Sequence, residues 1–143
     1  MYEAIDLAKY VVTKCINENC PISNLQLQKI LYYIQKEFLQ TKNIAAFSDN
    51  IEAWQFGPVV PNVYYHFCGF GAMPISILRQ EDNLGIEAED ILMIDAVVEK
   101  KRILNPWDMV EDTHKEGGAW ARIYKDGLGN RKIIPIDLIR DVG

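Results

Sequence analysis

A mainly α, α+β fold is what this sequence predicts: a single compact helical domain over residues 1–143 with a small two- or three-stranded sheet. Three observations carry that expectation. Apolar residues recur at helical spacing in several stretches, most clearly over residues 4–16 and 27–38. Period-two alternation is confined to short runs bounded by glycine and proline. No linker, low-complexity stretch or internal repeat divides the chain, and its length is that of one domain.

The first helix is expected from about Glu3 to Ile16. Ala4, Leu7, Ala8, Val11, Val12, Cys15 and Ile16 share one face, with Glu3, Lys9 and Lys14 directed towards solvent. Asn19-Cys20-Pro21 ends it. The second helix opens on a capping box, Ser23 with Gln26 three residues on. Ile22 and Leu27 are spaced as a hydrophobic staple. Leu27, Ile30, Leu31, Ile34 and Phe38 form its buried stripe, which fades near Thr41.

Ile51, Ala53 and Gln55 alternate with Glu52, Trp54 and Phe56 as a short strand. Gly57-Pro58 then imposes a rigid turn between that strand and a helix. Pro61 suits the first turn of that helix, which carries Val63, Tyr64 and Phe67 and stops by Gly69 or Gly71. Ile75 to Leu78 reads as a second short strand. A helix follows from about Glu87 to Ile103, with acids at its start and Lys100-Lys101-Arg102 at its end, as the macrodipole favours. Ile91, Ile94, Val97 and Val98 are its inner face. Asn105-Pro106 reads as cap and first residue of another helix, ending at Gly117-Gly118. Asp126-Gly127 and Gly129-Asn130 mark a turn. Lys132 to Ile136 is a strand candidate, and Asp137 to Arg140 a closing turn or helix.

The net charge is −5, and nucleic-acid affinity draws on counterion release by Lys and Arg, so a nucleic acid is a poor default partner. The one dense basic run, Lys100-Lys101-Arg102, is accounted for by its place at a helix C-terminus. Cys15, Cys20 and Cys68 cannot all pair within one chain. The first residues carry acids where a signal peptide has a basic start, and no apolar run is long enough to span a bilayer. A cytoplasmic location with free thiols, and no membrane partner, is the expectation.

The search for chemistry yields little. Gly69-Phe70-Gly71-Ala72 does not continue into the dinucleotide fingerprint. His66 and Cys68 stand two apart with no second pair, which is not a zinc pattern. A cysteine nucleophile would need His66 or His114 within hydrogen-bond reach, and spacing supplies no such geometry. Cys15, on the buried stripe, reads as an inert core thiol. Asp108, Glu111, Asp112, His114 and Glu116 gather acids near a histidine. On a helix Glu111 and His114 share a face, as do Asp108 and Asp112. That group could serve a metal-dependent or acid–base hydrolase; the simpler reading is a solvated helix face. No catalytic residue, metal ligand or cofactor is assigned.

Four blocks are less generic. Residues Leu25 to Gln35 (LQLQKILYYIQ) resemble the second-helix signature of the Panacea domain, the phage-associated, SocA/GepA-like family. Phe47 to Tyr64 (FSDNIEAWQFGPVVPNVY) resembles that family's most distinctive stretch. Thr113-His114-Lys115-Glu116 followed by Trp120, and then Ile134 to Ile139, complete the resemblance in family order. The family tends to place a proline before the late tryptophan, where this chain has Ala119.

The resemblance implies a bacterial or prophage antitoxin without catalytic residues. Its partner would be a cognate toxin protein, blocked directly or, in one branch of the family, delivered to a cytosolic AAA+ protease. The family motif implies structural roles for Gln28, Lys29, Tyr32, Trp54, Gly57, Pro58, Val59 and Pro61. Tyr64, Tyr65, His114 and Trp120 are the candidate partner contacts, since aromatic side chains are favoured interface anchors. Two other readings stand beside it: the hydrolase centred on His114, and a DNA-binding autoregulator, which the acidic balance and the lack of a clear helix-turn-helix oppose.

Overall fold

The computed structural model describes residues 1–76 and 85–143. Its axis is helix α2 (Asn24–Lys42). The capping box sets where it starts: Ser23 Oγ accepts from the Gln26 N–H at 3.2 Å, and Gln26 Oε1 accepts from the Ser23 N–H at 2.9 Å. Ile22 and Leu27 are both buried beside the cap, as a staple requires. Asn43 ends the helix in the left-handed conformation, with φ of 56°. The expected stripe is buried, but so are Tyr32, Tyr33, Asn24, Gln28, Lys29 and Gln35. A helix covered on nearly every side is central to its fold.

Around it pack α1 (Ala4–Asn17), α3 (Pro61–Phe67), α4 (Ala88–Lys101), α5 (Pro106–Thr113) and α7 (Ile136–Val142). The short α6 (Ala119–Tyr124) lies against the sheet and α7. The buried apolar side chains form one cluster that runs from Ala4 to Ile139. Among the described residues no helix is long and apolar enough to cross a membrane.

Lys14 departs from its expected place. Its side chain lies in the seam between α1 and α4, paired with Glu18 at 2.8 Å and Glu99 at 3.2 Å. Arg102 reaches Glu18 at 2.8 Å, the Tyr10 hydroxyl donates to Asp95 at 2.6 Å, and the Tyr2 hydroxyl to Asp90 at 2.5 Å. The α4 helix fully buries only Ile94 and Val98. Its orientation therefore leans on this polar seam, although pairs of this kind contribute only about 0–1 kcal/mol each.

The sheet is antiparallel with order β2-β1-β3, from β1 (Glu52–Trp54), β2 (Gly57–Val59) and β3 (Lys132–Ile133). It corrects the turn expected at Gly57-Pro58. Trp54 pairs with Gly57, so Gln55 and Phe56 are the hairpin loop, and Gly57 and Pro58 belong to β2. Pro58 is tolerated because β2 is an edge strand, where a missing N–H costs no ladder bond.

Other boundaries moved for identifiable reasons. The third strand is shorter than expected because Pro135, which has no N–H to donate, already serves as the N-cap of α7. The helix expected to reach Gly117 stops at Thr113, and α6 restarts from Gly118. Ile75 and Ser76 are not in a strand, and the rest of that expected strand lies outside the described residues. Ile75 is nonetheless anchored, its N–H donating to the Ile22 carbonyl at 2.8 Å.

Ser23→Ala should lower stability by about 1 kcal/mol, the usual worth of such a cap. Gln26→Ala should cost less when Ser23 is already alanine. A double-mutant cycle in urea would show that coupling, and strictly additive losses would rule out the reciprocal box.

Candidate functional site

Lys29 is fully buried in the N-terminal half of α2, and its Nζ donates to the Phe56 carbonyl at the hairpin tip. Among the described residues no carboxylate pairs with it. Burial alone pushes the ammonium down to about 7 from its usual 10.5. Gly57, next to that carbonyl, has φ of +123°, a conformation that side chains rarely adopt. A Cβ there would overlap Lys29 Nζ and sit 3.2 Å from Thr113 Oγ1. Residues 29, 56–57 and 113 come from separate sequence blocks and meet at this point.

The histidine and the late tryptophan brace the same hairpin. The His114 and Trp120 rings stack with centroids 3.6 Å apart and planes within 5°. Trp120 stacks in turn on Tyr124 at 4.6 Å, and its Nε1 donates to the Trp54 carbonyl at 2.8 Å. The His114 imidazole is pushed below its usual value, first by burial and then by the Lys29 charge, while the Phe56 carbonyl acts the other way. Its Nε2 has no hydrogen-bond partner among the described residues.

The acids do not join it. Asp112 accepts from the Tyr33 hydroxyl at 2.5 Å, and Asp108, Glu111 and Glu116 are exposed. No group of three or more metal-ligating side chains converges among the described residues. Among the described residues, the side chains of the acids from Asp108 to Glu116 therefore make no hydrogen bond or ion pair with the His114 imidazole.

Buried amides on α2 fix the flanking segments. Gln28 Oε1 accepts from the Val60 N–H at 3.0 Å, and Gln28 Nε2 donates to Asn24 Oδ1 at 2.9 Å. Asn24 Nδ2 donates to the Tyr64 carbonyl at 3.0 Å. These bonds tie the end of β2 and the start of α3 to the central helix. Gln35 does the same for the loop before β1, accepting from Ala46 N–H at 2.7 Å and donating to the Phe47 carbonyl at 3.1 Å.

On the outer side of the braced hairpin lies an aromatic surface. Phe56 is 51% exposed and Trp107, at the start of α5, is 65% exposed, with ring centroids 6.5 Å apart in edge-to-face geometry. Beside them a groove of about 520 Å³ runs between α2, the hairpin and α3, its walls including Trp54, Val59, Tyr64 and Arg131. The Arg131 guanidinium lies 4.2 Å over the Trp54 ring and donates to the Tyr65 hydroxyl at 3.1 Å. Among its lining residues there is no carboxylate, in a chain with 20 acids.

The candidate contacts thus separate. Tyr64 lines the groove and Tyr65, 54% exposed, stands at its edge, whereas Trp120 is buried and His114 is stacked on it beneath the hairpin. Trp54 is half-buried, and Phe56 is on the surface. Trp107 and Arg131 were not singled out in the sequence. Nothing in a helix-start tryptophan or a turn arginine distinguishes an exposed ring or a stacked guanidinium from an ordinary one.

The family model for the antitoxin SocA-like Panacea domain matches residues 27–121. The chain belongs to that family. The matched range of this Panacea domain holds Lys29, the hairpin, Thr113 and the His114–Trp120 stack. Antitoxin SocA of Caulobacter vibrioides (strain NA1000 / CB15N) is 41% identical to it over 69 residues, which cover 48% of this chain and 37% of that protein. The alignment thus spans little more than a third of the relative's length. No solved structure matches the chain.

Two measurements check the Lys29 clamp. Its pKa is lower in the folded chain than in the unfolded one, so the unfolded state binds more protons between pH 7 and 10.5. Stability should therefore rise with pH through that window, by at most about 1.4 kcal/mol per unit, and be lost as pH falls towards 7. Lys29→Met should flatten the rise in urea midpoints, and an unchanged slope would refute the assignment. Gly57→Ala should destabilise by about 2 kcal/mol or more through backbone strain and overlap with Lys29.

Proposed function

We propose that this domain is an antitoxin-like binding module that neutralises a cognate toxin protein by gripping it at the hairpin tip. The observation that carries the reading is the pair Phe56 and Trp107, two large rings held in contact yet more than half exposed on a rigid support. Exposed rings fixed in place lose little entropy on binding, and aromatic residues dominate interface hot spots. Tyr65 and the groove beside Trp54 and Tyr64 extend that surface. His114 and Trp120 act from beneath, by holding β1 in position. The name of the Caulobacter relative supports the antitoxin role.

The grip requires no bond-making chemistry. Nanomolar affinity corresponds to about −12 kcal/mol. An interface of roughly 1,200–2,000 Å² is enough when a few anchors are well placed. Neutralisation then follows either from blocking the toxin or from carrying it to a cytosolic AAA+ protease.

Expression of the neighbouring gene product alone should arrest growth, and co-expression with this chain should restore it. A harmless neighbour, or arrest despite co-expression, counts against the reading for that pair. Phe56→Ala and Trp107→Ala should each weaken toxin binding by about 30-fold or more, as loss of a hot spot does, while leaving thermal stability nearly unchanged. Toxin half-life during rescue separates the two routes: it shortens on delivery to a protease and is unchanged on direct block.

A further inference from the structure

Helices α2 and α4 run antiparallel, since Tyr33 on α2 meets Lys101 while Lys42 pairs with Asp90. Between them lies a second groove of about 530 Å³ that shares no lining residue with the hairpin groove. From α2 it takes Tyr33, Lys36, Glu37 and Gln40. From α4 it takes Met93, Ala96, Val97 and Lys100. Each set is spaced i, i+3, i+4, i+7, so each is one continuous helix face.

Part of the apolar surface on α4 stays uncovered by the core. Its buried side is Ile94 and Val98. Met93 and Val97 pack against the core with only part of their surface and leave the rest open, and Leu92, four residues before Ala96, is 72% exposed. A helix apolar on a second face has a second surface to bury.

The rim is basic although the chain is acidic. Lys36, Lys100 and Lys101 border the groove, and among the described residues none of them forms an ion pair. The two acids in the lining are already engaged: Asp112 with the Tyr33 hydroxyl, and Glu37 with the Thr41 hydroxyl at 3.3 Å. Lys101 is pinned 4.0 Å over the Tyr33 ring. Lys36 is pushed below its usual value, first by burial and then by the like charges of Lys115 and Lys101, with Asp112 and Glu37 acting the other way. Like charges gathered along a cleft with an apolar strip on one wall are relieved by an incoming anion.

We propose that this groove seats a third helix: an amphipathic α-helix of a partner protein, with its apolar stripe on Met93, Ala96 and Val97 and acidic side chains against Lys36, Lys100 and Lys101. Two parallel-sided helix faces are the receptor geometry for helix-in-groove recognition, read by anchors at i, i+3, i+4 and i+7. The acidic flanks follow from the lysine rim, which would repel a basic helix. The seat is independent of the hairpin surface, so the domain can hold a second protein while the first is gripped.

The probe is a fluorescent designed helix about 18 residues long, with Leu at the four anchor spacings and Glu on the flanks. Anisotropy against the full chain should give micromolar binding, and the same peptide with Lys for Glu should not bind. Lys36→Glu combined with Lys100→Glu should weaken the acidic peptide by about tenfold or more. Ala96→Arg, a change at an exposed position, should abolish binding, while Phe56→Ala should leave it unchanged. Absence of binding, equal binding of the Lys peptide, or sensitivity to Phe56→Ala without sensitivity to Ala96→Arg overturns the proposal. So does displacement of the peptide by inorganic phosphate alone, which would make the groove an anion site. Sedimentation that shows a dimer broken by Ala96→Arg would assign the groove to a second copy of this chain and overturn it equally.

Discussion

The fold turns on a buried lysine that has no counter-charge among the described residues. Taking an ammonium out of water is costly, and a lone carbonyl does not repay what a carboxylate would. Lys29 nonetheless lies buried in the N-terminal half of the central helix, with the Phe56 carbonyl as its acceptor. The cost shows in its depressed affinity for a proton. What the arrangement secures is position: a two-residue loop at the end of a three-residue strand has little to hold it by itself. The lysine fixes that loop from within, Gly57 gives it room, and Trp120 ties the adjacent strand through the Trp54 carbonyl.

The same logic extends along α2. Asn24, Gln28 and Gln35 are buried amides, and each binds backbone of a segment with little secondary structure to stabilise it. A buried amide left unmatched costs about 1–3 kcal/mol, so these residues specify where the segments lie as well as how tightly they are held. The central helix thus acts as a row of fixed attachment points. The sheet and α3 need few apolar contacts of their own because their polar backbone is satisfied by it.

How far the sequence could be read follows from this. Elements defined by local patterns were legible: the Ser23 box, the Asn105-Pro106 start, the stripe of α1 and the charge gradient of α4. Elements defined by distant partners were not. Gly57-Pro58 has the composition of a turn, and only the approach of Lys29 from another block explains why glycine is needed inside a strand. Lys14 looked solvated because its partners Asp95 and Glu99 lie on a helix about 80 residues away. The α6 helix, six residues long, is too short for periodicity to register. At the site, the motif marked the residues under the hairpin and ran through Phe56 without distinguishing its exposed ring, while Trp107 lay outside every block.

Phe56 has two ends with separate duties. Its carbonyl points inward to the lysine, and its ring points outward to solvent. Every amino acid possesses the first, and only the second distinguishes one from another. A descendant of this chain could therefore exchange the residue at the tip, and with it the molecules it recognises, while the clasp beneath stays as it is. The geometry separates what must be inherited from what is free to diversify.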